Sequence, residues 1–313
     1  CRIEGRAVLY FPIFEHYLKQ YNLPLELKYL PMIESALRPN AVSGVGATGL
    51  WQFMSPTATE LGLRNDHLVD ERRDPYKSTE AAVKYLAGLY ERFGNWELAL
   101  SAYNCGAGNV WKAVKSGGTR NYWQIREFLP QETRDYIPRF IAASYLGEYY
   151  TLHHLAPSMP DYDMQFTKTI KVYSAITVSK IASAANISES VIYKLNPAYQ
   201  KGVLPYNANG NYLVLPELGM IAFKDYLRMS NDPIQTDLVL PGTTLTVKGS
   251  TDVIELAITV KPGQTLVDLA MMYECTASDI REWNNLSSND TYYMQELRLF
   301  VPKALVAKLN KRA

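Results

Sequence analysis

The chain has 313 residues, 47% of them hydrophobic and 20% charged, an ordinary globular balance long enough for two or three domains and a well-buried core. Its 32 basic and 31 acidic residues leave a formal net charge of +1, so no long-range field draws it to nucleic acid or to an anionic membrane. No run of about 18 apolar residues could span a bilayer, and Cys1, Cys105 and Cys275 show neither metal-ligand spacing nor a disulfide framework.

Residues 1–155 read as helices throughout. Val8, Phe11, Phe14, Tyr17 and Leu18 are spaced for a helix over Arg6–Lys19. Pro24 stands at a first helical position ahead of Leu25, Leu27, Tyr29, Leu30 and Ile33. Ser78 and Glu80 open a further helix that ends near Gly94, and Trp96–Tyr103 forms the next, closed by Gly106 and Gly108. The last helix of this half runs from about Glu132 to Thr151.

Pro157 and Pro160 mark a boundary, beyond which short β-rich runs frame helices. Thr167–Tyr173 alternates as a strand, Val178–Ala185 and Ser188–Leu195 read as helices, and Tyr212–Leu215 closes as a second strand. The same order returns as Ile258–Val260, Thr265–Tyr273, Ala277–Trp283 and Leu297–Val301, with an asparagine near the end of the second helix in both copies, Asn196 and Asn284. The expected architecture is multi-domain. An all-α domain (1–155) precedes two small α+β modules of β-α-α-β order (165–217 and 251–303), joined by a linker with one helix and strand (218–250).

Candidate chemistry concentrates in Leu30-Pro31-Met32-Ile33-Glu34-Ser35, where a carboxyl follows an apolar turn and precedes a loop holding Pro39, Gly44, Gly46 and Gly49. A carboxyl beside apolar residues loses hydration, and its pKa rises. A glycoside-cleaving general acid needs that rise to keep its proton near neutral pH. A lone glutamate at a helix end is more often solvated or ion-paired, so its neighbours decide the matter. They are Gly49-Leu50-Trp51-Gln52-Phe53-Met54, Asp70-Glu71-Arg72-Arg73-Asp74-Pro75, Ala102-Tyr103-Asn104-Cys105-Gly106 and Glu132-Thr133-Arg134-Asp135-Tyr136-Ile137-Pro138.

These motifs, with Glu34-Ser35 and Ala41-x-Ser43, occur in an order that resembles the soluble-lytic-transglycosylase family. That is a lysozyme-like fold related to goose-type lysozyme, and the likeness is strongest to its membrane-bound type D branch, in which LysM modules follow the catalytic domain. The resemblance implies that Glu34 protonates the glycosidic oxygen and then acts as base on the sugar's own C6 hydroxyl. It implies that Ser43 hydrogen-bonds near Glu34 or the N-acetyl group, and that Tyr136 stands by the oxocarbenium charge or orients Glu34. Ser35, Gln52, Tyr103 and Asn104 are the implied substrate-binding residues. Trp51 and Phe53 are read as core, and Asp70–Asp74 as loop and helix-capping scaffold. No second carboxylate has comparable support, unlike the usual paired-carboxylate glycosidase. That suits a reaction that uses the substrate's acetamido group and C6 hydroxyl and leaves a 1,6-anhydro-N-acetylmuramyl end.

Ile258-Thr259-Val260-Lys261-Pro262-Gly263-Gln264-Thr265 resembles the opening of a LysM module, which implies N-acetylglucosamine contacts at Pro262, Gly263, Gln264 and Thr265. The first copy departs from that pattern at Ser174–Thr177 and carries an insertion around Gly202–Gly210, so a purely structural role competes with glycan binding. The expected partner is the peptidoglycan glycan strand in the bacterial envelope, with no metal, no cofactor, no nucleic acid, and a monomer as default. A membrane anchor is expected only if Cys1 is a lipoprotein cysteine; helical pattern from Ala7 onward leaves it no flexible tether. Two other readings stay open. A lysozyme-like site with one carboxylate can also hydrolyse, and the chain could be a non-catalytic peptidoglycan-binding scaffold.

Overall fold

Helical spacing and local capping set the elements of the computed structural model. It describes residues 2–230 apart from 159, and beyond them 234, 236–238, 253–260, 265–273, 275–284, 286, 288 and 295–302. The chain forms two compact units, Cys1–Val239 and Leu240–Ala313.

The first unit opens with α1 (Arg2–Gln20), which buries Tyr10, Phe14, Tyr17 and Leu18 along one side and starts earlier than its apolar spacing predicts. A 3-10 turn (Leu25–Tyr29) then leads into the short α2 (Leu30–Ser35). There follow α3 (Ser55–Glu60), α4 (Pro75–Phe93), α5 (Trp96–Cys105), α6 (Ala107–Gly117), α7 (Tyr122–Ile125) and α8 (Gln131–Tyr149). Phe14, Leu18, Leu30, Leu50, Trp51, Leu86 and Leu98 meet in one water-free core, with Phe53 beside them, as expected for Trp51 and Phe53.

Two further helix ends differ from the sequence reading. The helix expected from Ser78 begins at Pro75, because the Asp74 carboxylate accepts the Tyr76 and Lys77 N–H groups at 2.8 and 3.0 Å and Pro75 has no N–H to satisfy. Gly106 ends α5 with φ 84°, but Gly108 does not break the chain and lies in the first turn of α6.

After α9 (Tyr162–Gln165) the first module follows as β1 (Thr167–Val172), β2 (Ile176–Thr177), α10 (Val178–Ala185), α11 (Glu189–Leu195), β3 (Val203–Leu204) and β4 (Asn211–Pro216). β1 pairs antiparallel with β4, Thr167 opposite Pro216. The insertion around Gly202 folds back as β3 against β2. The segment read as a linker from 218 is part of the module. In α12 (Glu217–Met229) Met220 and Phe223 are buried in the module's core, and β5 (Thr236–Leu238) pairs with the free edge of β1. An amphipathic helix of that length needs an apolar partner, and α10 supplies it. Residues 239–250, where that reading placed further strand and turn, lie outside the described residues.

In the second unit β6 (Val253–Thr259) pairs antiparallel with β7 (Glu296–Pro302) around α13 (Leu266–Met272) and α14 (Ala277–Asn284). The repeated asparagine does the same work twice. Asn196 Nδ2 donates to Ile192 O and Val214 O at 2.9 and 2.7 Å, and its Oδ1 accepts from Val214 N–H at 2.7 Å. Asn284 makes the same three bonds, to Ile280 O, Arg298 O and Arg298 N–H, at 2.7, 2.7 and 2.6 Å. Each ties the second helix to the closing strand. Among the described residues no helix is long and apolar enough to cross a membrane.

Candidate active site

Glu34 stands in the last turn of α2, and the chain reverses immediately after it. Ala36 and Leu37 both adopt left-handed backbone, with φ 51° and 56°. Such geometry costs roughly 1–3 kcal/mol at each non-glycine residue and persists only where neighbours over-determine it. Here they do. The Ala36 N–H donates to Met32 O at 3.1 Å and the Leu37 N–H to Pro31 O at 3.1 Å. Arg6 Nη1 donates to Ala36 O at 3.0 Å, and the Leu37 side chain is wholly buried.

Ser35 is part of that lock. Its buried hydroxyl reaches Pro31 O at 3.0 Å and Leu50 O at 2.9 Å, fixing the end of α2 to the following loop. The expectation that Ser35 binds substrate is therefore corrected: both acceptors are backbone, and the side chain faces the interior.

The loop 38–54 folds back beside Glu34. Ser43 N–H donates to Ala47 O at 2.8 Å, while Ser43 Oγ accepts the Ala47 N–H at 3.0 Å and keeps its own hydrogen to donate. Gly49 has φ 90°, and a Cβ there would lie 1.8 Å from Arg72 O, so only glycine fits. Gln52, at φ 50°, donates from Nε2 to Gly49 O at 2.8 Å and Ala41 O at 3.3 Å. Its side chain braces the loop.

The far wall comes from α5 and α8. The Tyr136 hydroxyl donates to Glu34 Oε1, and the ring is buried. Tyr103 donates its hydroxyl to Trp51 O at 2.7 Å and packs against Phe53 and Tyr85, so its polar end is engaged with the backbone. Asn104 Oδ1 accepts from the Thr133 hydroxyl at 2.8 Å, which leaves the amide N–H groups as the side offered to a ligand. Thr133, fully buried, was not singled out from sequence although it lies inside the 132–138 motif. Arg72, read from sequence as scaffold, braces the loop. Its guanidinium grips the Asp70 carboxylate at 2.9 and 3.0 Å and also donates to Gly46 O and Phe53 O at 3.1 and 3.3 Å. A binding role could not be told from a bracing one at these positions, since both need a polar group at the same spacing.

Burial pushes the half-buried Glu34 carboxyl up to about 7. The Tyr136 hydrogen bond works against that rise, and the Glu132 charge adds to it. Burial, with the Glu34 charge next, holds the Tyr136 phenol well above its usual value, so it remains a donor. The arrangement suits a group that gives up a proton near neutral pH and has a hydrogen bond waiting for the anion.

In the second unit Thr265 caps α13, exchanging bonds with Asp268 in a capping box, so its hydroxyl serves the helix. Thr265 is nevertheless exposed, so the cap does not remove it as a proposed glycan contact; Pro262, Gly263 and Gln264 lie outside the described residues.

Comparison with known proteins places this geometry in context. Residues 11–126 match the transglycosylase SLT domain, 166–232 the LysM-like domain of lytic transglycosylase MltD, and 258–299 the LysM domain. Membrane-bound lytic murein transglycosylase D of Escherichia coli strain K12 is 30% identical over 276 residues, covering 86% of this chain and 58% of that protein. A putative tributyltin chloride resistance protein of Alteromonas sp. strain M-1 is 36% identical over 109 residues, or 34% of this chain and 52% of that protein. The solved 70 kDa soluble lytic transglycosylase of Escherichia coli aligns at 28% identity and TM-score 0.40, over 44% of this chain and 24% of that one. The chain thus spans little more than half the length of the curated relatives it matches. It carries a transglycosylase SLT domain match over 11–126 that includes Glu34, with its partner Tyr136 just beyond it, followed by an MltD-type LysM-like match and a LysM match.

Proposed function

We propose that this chain is a peptidoglycan lytic transglycosylase that cleaves the N-acetylmuramic acid–β-1,4–N-acetylglucosamine bond without water. The observation that carries the reading is Glu34, a carboxylic acid with its pKa raised to about 7 and one oxygen held by the Tyr136 hydroxyl. In the first half-reaction Glu34 gives its proton to the glycosidic oxygen, the bond to C1 breaks, and the N-acetylglucosamine side leaves with a new hydroxyl. The muramyl acetamido oxygen shields the cation at C1, in place of a second carboxylate. In the second half, the C6 hydroxyl oxygen of the same sugar attacks C1 while Glu34 takes its proton. The product is a 1,6-anhydro ring, no water is consumed, and Glu34 is again the acid. Tyr136 stabilises the carboxylate that exists between the two halves.

Ser43 through its hydroxyl, Gln52 through its carbonyl and Asn104 through its amide are the proposed contacts for the acetamido sugars. The proposed domains are a catalytic region over 1–155 and LysM-type modules over about 165–239 and 251–303. The second module holds the glycan strand in the bacterial envelope. Support for the activity comes from the SLT-domain match and from the likeness to the membrane-bound lytic murein transglycosylase D of Escherichia coli.

Mass spectrometry of the soluble products from purified sacculi tests this directly. Fragments with 1,6-anhydro ends, lighter by one water than reducing-end products, are expected. Reducing ends would make the chain a hydrolytic muramidase, and binding without release would make it a scaffold.

A further inference from the structure

The strap 65–74 has two faces, and each holds a different part of the first unit. On one face Val69 is buried in the first module's apolar core with Ile170, Tyr199 and Leu213, and it bridges antiparallel to Tyr199. Asp70 N–H donates to Ala198 O at 3.0 Å, so the strap is in effect an added edge segment of that module. The Tyr199 hydroxyl donates on to Tyr212 O at 2.7 Å, and Tyr212 lies against Tyr76 at the start of α4.

On the other face the strap is the floor of the loop beside Glu34. Arg72 O lies where a Gly49 side chain would be, and the Arg72 guanidinium binds Gly46 O and Phe53 O, on either side of Gln52. Asp70 holds that guanidinium by both carboxylate oxygens, and Arg73 Nη1 reaches Asn40 Oδ1 at 3.1 Å. One planar fork thus fixes two loop carbonyls, and its orientation depends on an aspartate whose backbone is hydrogen-bonded to the module.

We infer that the first LysM-like module is a positioning element for the catalytic loop: it sets the Val69–Arg73 strap, and Arg72 passes that placement to the segment carrying Gln52. The activity consequence rests on the glycan-cleaving reading above; the structural coupling does not. A module whose principal work is to bind glycan would change substrate affinity when disturbed. A module that places the loop changes the chemical step.

Val69→Ala in the full chain loosens the module face, and Arg72→Lys keeps the charge beside Asp70 but cannot span both carbonyls. Hydrogen exchange read by mass spectrometry, without substrate, should show peptides from 41–54 exchanging at least about threefold faster in both variants. On purified sacculi kcat should fall about tenfold, with retention on the sacculi within about twofold of the parent chain. Because both act through one strap, Val69→Ala with Arg72→Lys should lose no more kcat than the worse single variant. Val69→Ile, which keeps the apolar contact, should restore loop protection. Unchanged exchange over 41–54 in Val69→Ala overturns the inference, as does reduced retention with kcat intact. An inactive parent chain would refute the glycan-cleaving reading, and the exchange result would still decide the coupling.

Discussion

At Glu34 the requirements of the proposed chemistry and of stability oppose each other. A carboxyl lifted to about 7 by burial is about half protonated at neutral pH, where an ordinary one is ionised. Between pH of about 4.5 and 7 the unfolded chain therefore binds fewer protons than the folded one, and folding stability falls as pH rises. Glu34→Gln removes that penalty and keeps an oxygen for Tyr136. It should be more stable than the parent chain at pH 8 by about 1–3 kcal/mol, with the gap closing at pH 4. Thermal melts at the two pH values check this, and a gap that does not depend on pH would exclude the raised pKa. For activity the sign is the same: kcat/KM should be high on the acid side and fall as pH rises through about 7. Tyr136→Phe deletes the interaction that lowers the Glu34 pKa, so the descending limb should move to higher pH while kcat drops by about tenfold or more. A pH–rate profile for that variant that keeps the parent limb would show that the hydroxyl does not act on Glu34.

The elements are held by a few positions with no tolerance for change. Gly49→Ala would drive a methyl into Arg72 O at a backbone angle that side chains rarely adopt, and should destabilise the first unit by at least about 2 kcal/mol. Chemical denaturation measures this, and a neutral result would mean the loop can move off Arg72. The paired asparagines give a graded test. Asn196 is almost fully buried, so Asn196→Ala leaves the Val214 N–H and carbonyl unmatched and should cost about 2–4 kcal/mol; Asn284, half-buried, should cost about half as much at its equivalent site. Equal losses at the two positions would contradict burial as the cause. That both asparagines repeat in sequence was legible at once. Their shared task, closing a helix onto a strand by bonds in both directions, needed the strands to be paired.

Across the whole molecule, Glu34→Gln should abolish fragment release yet sediment with sacculi as the parent chain does, since the proposed glycan contacts are other residues. Loss of sedimentation would move substrate holding into the cleft itself. Local signals determined much of the architecture: apolar spacing of three and four for the helices, alternation for the strands, the repeated β-α-α-β order, and Glu34 at an apolar helix end. Those depend on neighbours in the chain, and the chain displays them. What the sequence left undecided were contacts between residues far apart in it. Ser35 and Thr265 are hydroxyls beside candidate sites, and only folding shows that one ties α2 to Leu50 and the other caps a helix. The helix after residue 216 passed for a linker because the apolar surface it covers belongs to α10 and β1. The segment Asp70–Asp74 was legible as scaffold, but that Arg72 braces Gly46 and Phe53 was not, because those carbonyls lie 26 and 19 residues away. Identity and spacing set which groups are available for chemistry; the paths of the backbone decide which of them face a substrate and which hold the others in place.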